Sequence, residues 1–197
     1  MNELSGESYL LVRSAQGGDP QAREALFLRY RPWVMQVVAL RMGRPLREIA
    51  DCEDLVQETL FHAFERLESF EYRSEGSFRR WLAEIVHRRV ADLWRSVHAQ
   101  KRGEGRQPRR GASGSVLSAS LFEGNLPTPS QAAMGRETEE RIEDALLALE
   151  DRDRRVIELR RLCELSYVEI AESMELPTEG AARALFARAL AKLSASF

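Results

Sequence analysis

Residues 101–135 decide what the rest of this chain can become. The first ten are basic and glycine-containing, and 111–133 is rich in Ser, Gly and Pro with few large apolar side chains. Such a stretch buries too little surface to offset the entropy lost on ordering it, so the composition predicts a flexible linker. The flanks, 1–100 and 136–197, must then fold as separate domains, which 197 residues permit. With 30% of residues charged and no apolar run near the roughly 18 residues a span needs, a membrane protein is excluded. The first ten residues carry no basic segment followed by an apolar core, so no secretory signal is read and a cytoplasmic location is expected. Cys52 and Cys163 stand far apart with three histidines for company, which excludes a disulfide scaffold and a zinc finger. No metal or other cofactor is expected.

Both flanks read as helical. Asp19 and Pro20 open a helix as cap and first-turn residue. Ala22, Leu26, Tyr30, Val34 and Val37–Val38 then recur at steps of three or four, in one helix or a pair kinked at Pro32, up to about Met42. A loop at 43–47 precedes a helix over 51–67, with Leu55, Val56, Leu60 and Ala63 on one stripe and Asp51, Glu53 and Asp54 in the turn where the helix dipole favours acids. A polar loop with Phe70 and Tyr72 follows. Ser77 is read as the cap of the next helix, which ends near Val97 and turns Phe78, Trp81, Leu82 and Ile85 inward. After the linker come helices from Glu137 and over 151–162, then a capping box at Ser166-Tyr-Val-Glu169, a short helix, a turn at Pro177–Thr178 and a last helix over 179–193. No segment alternates with period two. The expected architecture is all-α: two helical domains and a flexible linker.

A net charge of −2 hides strong segregation. Residues 48–71 hold eight acids and one Arg (−7), whereas 72–110 hold eleven bases and four acids (+7). Residues 137–175 hold thirteen acids and six Arg (−7), and 176–197 hold three bases and one acid (+2). Such alternation suits a chain that meets both DNA and a basic protein surface, although solvated helix faces give the same pattern.

The short helix with Ala171 at its centre, a tight turn and a second, outwardly basic helix form a helix-turn-helix pattern. In the major groove, Thr178, Glu179, Ala182 and Arg183 would lie near base edges, with Arg188 and Lys192 nearer phosphates. Arg183 alone has a fork suited to guanine, so base readout should be thin and DNA shape should matter. In the first domain, Arg80, Glu84, His87 and Arg88 share one outer helix face, behind the loop of Phe70 and Tyr72. Basic groups with nearby aromatics suit a single strand whose bases stack or flip; alternatively, the two loop aromatics plug the edge of the core.

Two motifs resemble one family. The stretch Asp51-Cys-Glu-Asp-Leu-Val-Gln-Glu-Thr-Leu60, with Ser77-Phe-Arg-Arg-Trp-Leu-Ala-Glu-Ile85 after it, resembles region two of the extracytoplasmic-function (ECF) sigma factors of bacterial RNA polymerase. Leu165-Ser-Tyr-Val-Glu-Ile-Ala-Glu172, with Glu179-Gly-Ala-Ala-Arg183 and Arg188-Ala189, is similar to their region four. The resemblance implies a dissociable initiation subunit without catalysis of its own. It implies that Asp54, Leu55, Gln57 and Glu58 dock on the polymerase clamp. The loop over 70–77, with Phe70, Tyr72 and Ser77, would capture an extruded non-template base of the minus-ten element, and Arg79, Arg80, His87 and Arg88 would line the melted strand. The last helix would enter the minus-35 element, residues 137–162 would meet the polymerase flap, and the linker would thread the active-site channel. An anti-sigma factor that clamps both domains is a further expected partner.

Two rival readings stand beside this one. A plain helix-turn-helix regulator would place a ligand cavity or a symmetric interface in 1–100. An enzyme is disfavoured because no paired carboxylates in an apolar setting, phosphate-cradling Gly loop or nucleophile elbow is present.

Overall fold

The computed structural model describes residues 3–100 and 136–196. The expected linker, 101–135, lies outside the described residues. Eight helices and one short 3-10 turn account for the regular structure among the described residues, with no strand. Contacts divide the chain into an N-terminal and a C-terminal unit.

The N-terminal unit holds α1 (Glu3–Gln16), α2 (Pro20–Arg47), α3 (Cys52–Arg66) and α4 (Glu75–Gln100). Helix α2 touches each of the other three. Its residues Val37, Val38, Ala39 and Leu40 are all buried, and four consecutive buried positions point to every side of a helix. That segment is therefore the axis of the unit, and α3 and α4, which also touch each other, close around it. Asp19 caps α2 by accepting from the Gln21 N–H at 2.9 Å. The Ser14 hydroxyl, at 2.8 Å, and then that N–H hold its carboxyl below the usual range. The cap is therefore at full strength above the ordinary carboxyl pKa and is lost only as pH falls through the lowered one.

Two sequence expectations change here. The break in α2 falls at Gly43, not at Pro32. Gly43 adopts φ 64° and ψ 169°, a region open essentially to glycine, and the chain resumes helical turns to Arg47 where a loop was expected. Pro32 is exposed and the backbone stays helical through it. The cap of α4 is Ser74 rather than Ser77. Ser74 Oγ accepts from the Ser77 N–H at 3.0 Å, and Ser77 Oγ accepts from the Ser74 N–H at 2.9 Å. This is a capping box in which a serine replaces the usual Glu at the third position, so the helix starts earlier than its apolar stripe does.

The C-terminal unit holds α5 (Arg136–Ala148), α6 (Asp151–Arg161), α7 (Tyr167–Ser173) and α8 (Glu179–Ser194). Helix α8 lies against both α6 and α7. The expected capping box opens α7: Ser166 Oγ accepts from the Glu169 N–H, and Glu169 Oε2 accepts from the Ser166 N–H at 2.8 Å. Glu164 and Glu175 carry the chain round the two turns at φ 58° and 53°, a left-handed conformation usually left to Gly or Asn. Ala171 is buried where α7 meets α8, as its size requires.

Because no Cβ is tolerated easily at Gly43, the Gly43→Ala variant should lose about 1–3 kcal/mol of N-terminal-unit stability in urea unfolding, with α2 helicity otherwise kept.

Candidate functional site

Three surfaces carry the residues singled out by sequence. On α3, Asp51 Oδ1 caps the helix through the Glu53 N–H at 2.8 Å, which sets the rotation of the turns that follow. Asp54, Gln57 and Glu58 are exposed on one side. Leu55 is only 6% exposed and belongs to the core, so its place in a docking set does not hold: at one residue's rotation from Asp54 its side chain turns inward. The same geometry brings out a residue that the apolar stripe hid. Phe61 stands seven positions after Asp54 and three after Glu58, on their face, and is 61% exposed. Glu58 pairs with Arg89 at 3.0 Å and His62 with Glu65 at 2.9 Å.

The second surface is the segment between α3 and α4. Phe70 is half-buried, with its ring 5.3 Å from Phe78 and 4.8 Å from Trp81. Phe78 is 2% exposed and meets Tyr30 edge-on at 4.8 Å. A pocket behind this cluster, lined by Leu26, Tyr30, Leu60, Phe78 and Trp81 among others, holds about 10 Å³, room for no more than a water. Of the two readings of the loop aromatics, Phe70 thus plugs the core edge, while Tyr72 lies at its margin, 6.3 Å from Phe70 and Phe78.

Polar groups hold this segment in place. Gln16 Nε2 donates to the carbonyls of Leu67 at 2.9 Å and Phe70 at 2.7 Å, from more than fifty residues away. Glu75 receives the Tyr30 hydroxyl at 2.7 Å and the Tyr72 hydroxyl at 3.4 Å, and has Arg79 at 3.6 Å. Burial, reinforced by Glu75, keeps the Tyr30 hydroxyl protonated well beyond the usual tyrosine range, so it remains a donor. Arg79 and Ser77 are therefore engaged in holding the loop: Ser77 Oγ serves the cap and donates to the Ser74 carbonyl at 2.7 Å. Arg80 and His87 are half-exposed and Arg88 exposed, at helical spacing on one face of α4.

The third surface is α8. Thr178 caps it by accepting from the Ala181 N–H at 3.1 Å, leaving Glu179, Arg183 and Arg188 exposed. Ala182 is fully buried against the rest of the unit, so it reads no base and is removed from that set. Lys192 also departs from expectation. Its ammonium donates to Asp153, which is 4% exposed, and stands 3.8 Å from Glu150. The hydrogen bond to Asp153 raises the Lys192 pKa, so the pair survives neutral pH and is lost only when pH climbs through that raised value. Arg183 rests on Glu179 at 2.6 Å and over the Tyr167 ring at 5.1 Å, and Arg160 covers the same ring at 4.8 Å.

Comparison with known proteins assigns the family of both units. Residues 26–100 match the model of sigma-70 region 2, and residues 139–193 match that of sigma-70 region 4. The chain is 30% identical over 167 residues to the ECF RNA polymerase sigma-E factor of Haemophilus influenzae, covering 85% of this chain and 83% of that protein. The chain belongs to the ECF sigma factors. It is accordingly a DNA-binding transcription initiation factor that works with RNA polymerase. Sigma-E of Escherichia coli K12 is 29% identical over 175 residues, covering 85% and 83% of the two chains. The sigma factor BldN of Streptomyces coelicolor is 29% identical over 184 residues, 93% of this chain and 63% of that protein. The solved structure of CnrH in complex with the cytosolic domain of CnrY shares the fold, with a TM-score of 0.59 at 23% identity over 94% of each chain. Membership in this family sets aside the reading as a plain helix-turn-helix regulator. No described helix is long and apolar enough to cross a membrane.

Sequence reasoning missed Phe61, Gln16 and Glu75. A helical wheel drawn from Asp54 would have found Phe61; the other two act across the fold and leave no local signal. Glu75→Ala leaves Tyr30 with Ser8 alone, 3.0 Å away. That variant should cost about 1–3 kcal/mol in urea unfolding and speed amide exchange over residues 70–74.

Proposed function

We propose that this ECF sigma factor divides its work between the two units. Residues 1–100 dock on core polymerase through the exposed Asp54, Gln57, Glu58 and Phe61 of α3 and hold the melted minus-ten strand along Arg80, His87 and Arg88. Residues 136–197 meet the minus-35 duplex through Thr178, Glu179, Arg183 and Arg188. The observation that carries the reading is the pairing, within one four-helix unit, of an acidic face bearing an exposed Phe with a separate basic row beside an aromatic-edged loop.

Charge decides the partners. An acidic face with a central aromatic suits a basic helical surface, since desolvated aromatics anchor interfaces while charges steer and register them. The basic row suits a strand's phosphates. Arg183 must leave Glu179 to reach a guanine, but an exposed pair contributes about 0–1 kcal/mol against about 1–3 for a bidentate guanine contact, so DNA wins. The factor itself carries no catalysis in this reading, acts in the cytoplasm where the polymerase is, and requires no cofactor. An anti-sigma factor is part of the reading too, supported by the fold shared with CnrH, which was solved with a protein domain bound. Co-purification from native cells tests it, and the steady absence of any stoichiometric partner but polymerase counts against it.

Reconstitution with core polymerase and run-off transcription on genomic fragments tests the whole reading; it should give discrete start sites, and their absence would sink it. Reversing Asp54 and Glu58 to Lys should weaken core binding by about 2–5 kcal/mol with the C-terminal unit still folded, and Phe61→Ala by about 2 kcal/mol, both read by titration against labelled core enzyme. Arg183→Ala should cost about 1–3 kcal/mol of minus-35 duplex affinity and relax preference at one base pair, seen by competition between site variants.

A further inference from the structure

The residues matched to sigma region 2 begin at 26, so α1 lies before them. Yet α1 is built into the edge of the loop. Its last residue, Gln16, holds two loop carbonyls, and its Ser8 hydroxyl lies 3.0 Å from that of Tyr30. It also touches α4, the helix of Arg80, His87 and Arg88. On α1, Tyr9 is 45% exposed, with its ring 5.5 Å from that of Tyr72 at an interplanar angle of 61°.

We propose that Tyr9 and Tyr72 together form a stacking platform for one unstacked base of single-stranded DNA, with Arg13 placed for the adjoining phosphate. This rests on the reading that the N-terminal unit holds the melted strand, and names a contact on α1 within it. Three observations carry the inference. Phe70 packs on the core cluster, and the pocket lined by Phe78 and Trp81 has no room for a base, which leaves the outer rim as the surface open to one. At that rim Tyr9 and Tyr72 present two rings from different elements, and Tyr72 is steadied by Glu75. Arg13 stands four residues after Tyr9, hence on the same face of α1, and is exposed. Gln16 ties α1 to the loop, so the platform is set before DNA arrives and little ordering entropy remains to be lost on binding. An aromatic face accepts any base, and so the contact adds affinity for an opened strand more than it adds sequence preference.

The test uses holoenzyme assembled from the full chain and core polymerase, and fluorescent non-template strands taken from a promoter found by the run-off assay. Tyr9→Ala should weaken strand binding about 5- to 100-fold, the loss expected for one base–aromatic stack, while Tyr9→Phe, which keeps the ring, should stay within about twofold. Core-polymerase affinity should be unchanged in both. An iodouracil placed in the strand should crosslink to Tyr9 or Tyr72. If Tyr9→Ala binds strand as tightly as the unsubstituted holoenzyme while Arg80→Glu with Arg88→Glu weakens it, this inference fails and the underlying reading stands. If none of these variants weakens strand binding, both fail. If Tyr9→Ala lowers core-polymerase affinity instead, the surface belongs to a protein contact and the platform is overturned.

Discussion

Phe78 is the side chain on which the loop of the N-terminal unit hangs. It sits in the first turn of α4 and meets Tyr30 of α2, Trp81 of its own helix, and Phe70 and Tyr72 of the preceding segment. One ring thus joins the buried axis of the unit to the segment between α3 and α4. Burying a side chain of this size contributes several kcal/mol, more than any single polar contact nearby. The polar ties from Gln16 and Glu75 then have a smaller task, to choose one loop conformation among those the apolar cluster permits. Packing supplies the energy and hydrogen bonding the uniqueness.

Much of this was legible in the residues. Steps of three and four gave the helices from α2 onward, the dipole-facing acids located the start of α3, and Ser166 with Glu169 announced α7; α1 was not read. The failures share a cause. Carrying a motif across by position ignores where each side chain points, so buried Leu55 stands in one set with exposed Asp54, and buried Ala182 in another with exposed Arg183. Reading the cap of α4 from its first apolar residue missed that a helix can begin a turn before its core face does. Reading a kink at Pro32 overlooked that Gly43, with its positive φ, offers a cheaper place to break. Gln16 reaches carbonyls 51 and 54 residues away, and no local pattern records such a contact.

The charge segregation has likewise resolved into different kinds of group. Some charges are structural. Arg31 grips both carboxylate oxygens of Glu53 at 2.7 Å, Arg155 meets the fully buried Glu158 at 2.9 Å, and Lys192 holds Asp153. These pairs cross between helices or stiffen one; removing Arg155 or Lys192 would leave the buried carboxylate of Glu158 or Asp153 uncompensated, whereas Arg31 and Glu53 are both well exposed and their pair contributes little. Others, such as Asp54 on α3 and Arg88 on α4, stand exposed on opposite-signed faces. Net charge alone shows neither class.

The resting position of Arg183 has a consequence for how the last helix meets a duplex. Its guanidinium already has a carboxylate and an aromatic face at home, so contact with a base edge is a competition and not a simple gain. In the proposed reading, where the groove offers nothing better than the domestic pair, the side chain would stay folded back and the helix would be held by backbone attraction alone, free to slip along. A duplex that outcompetes both partners would draw the arm out and arrest the search.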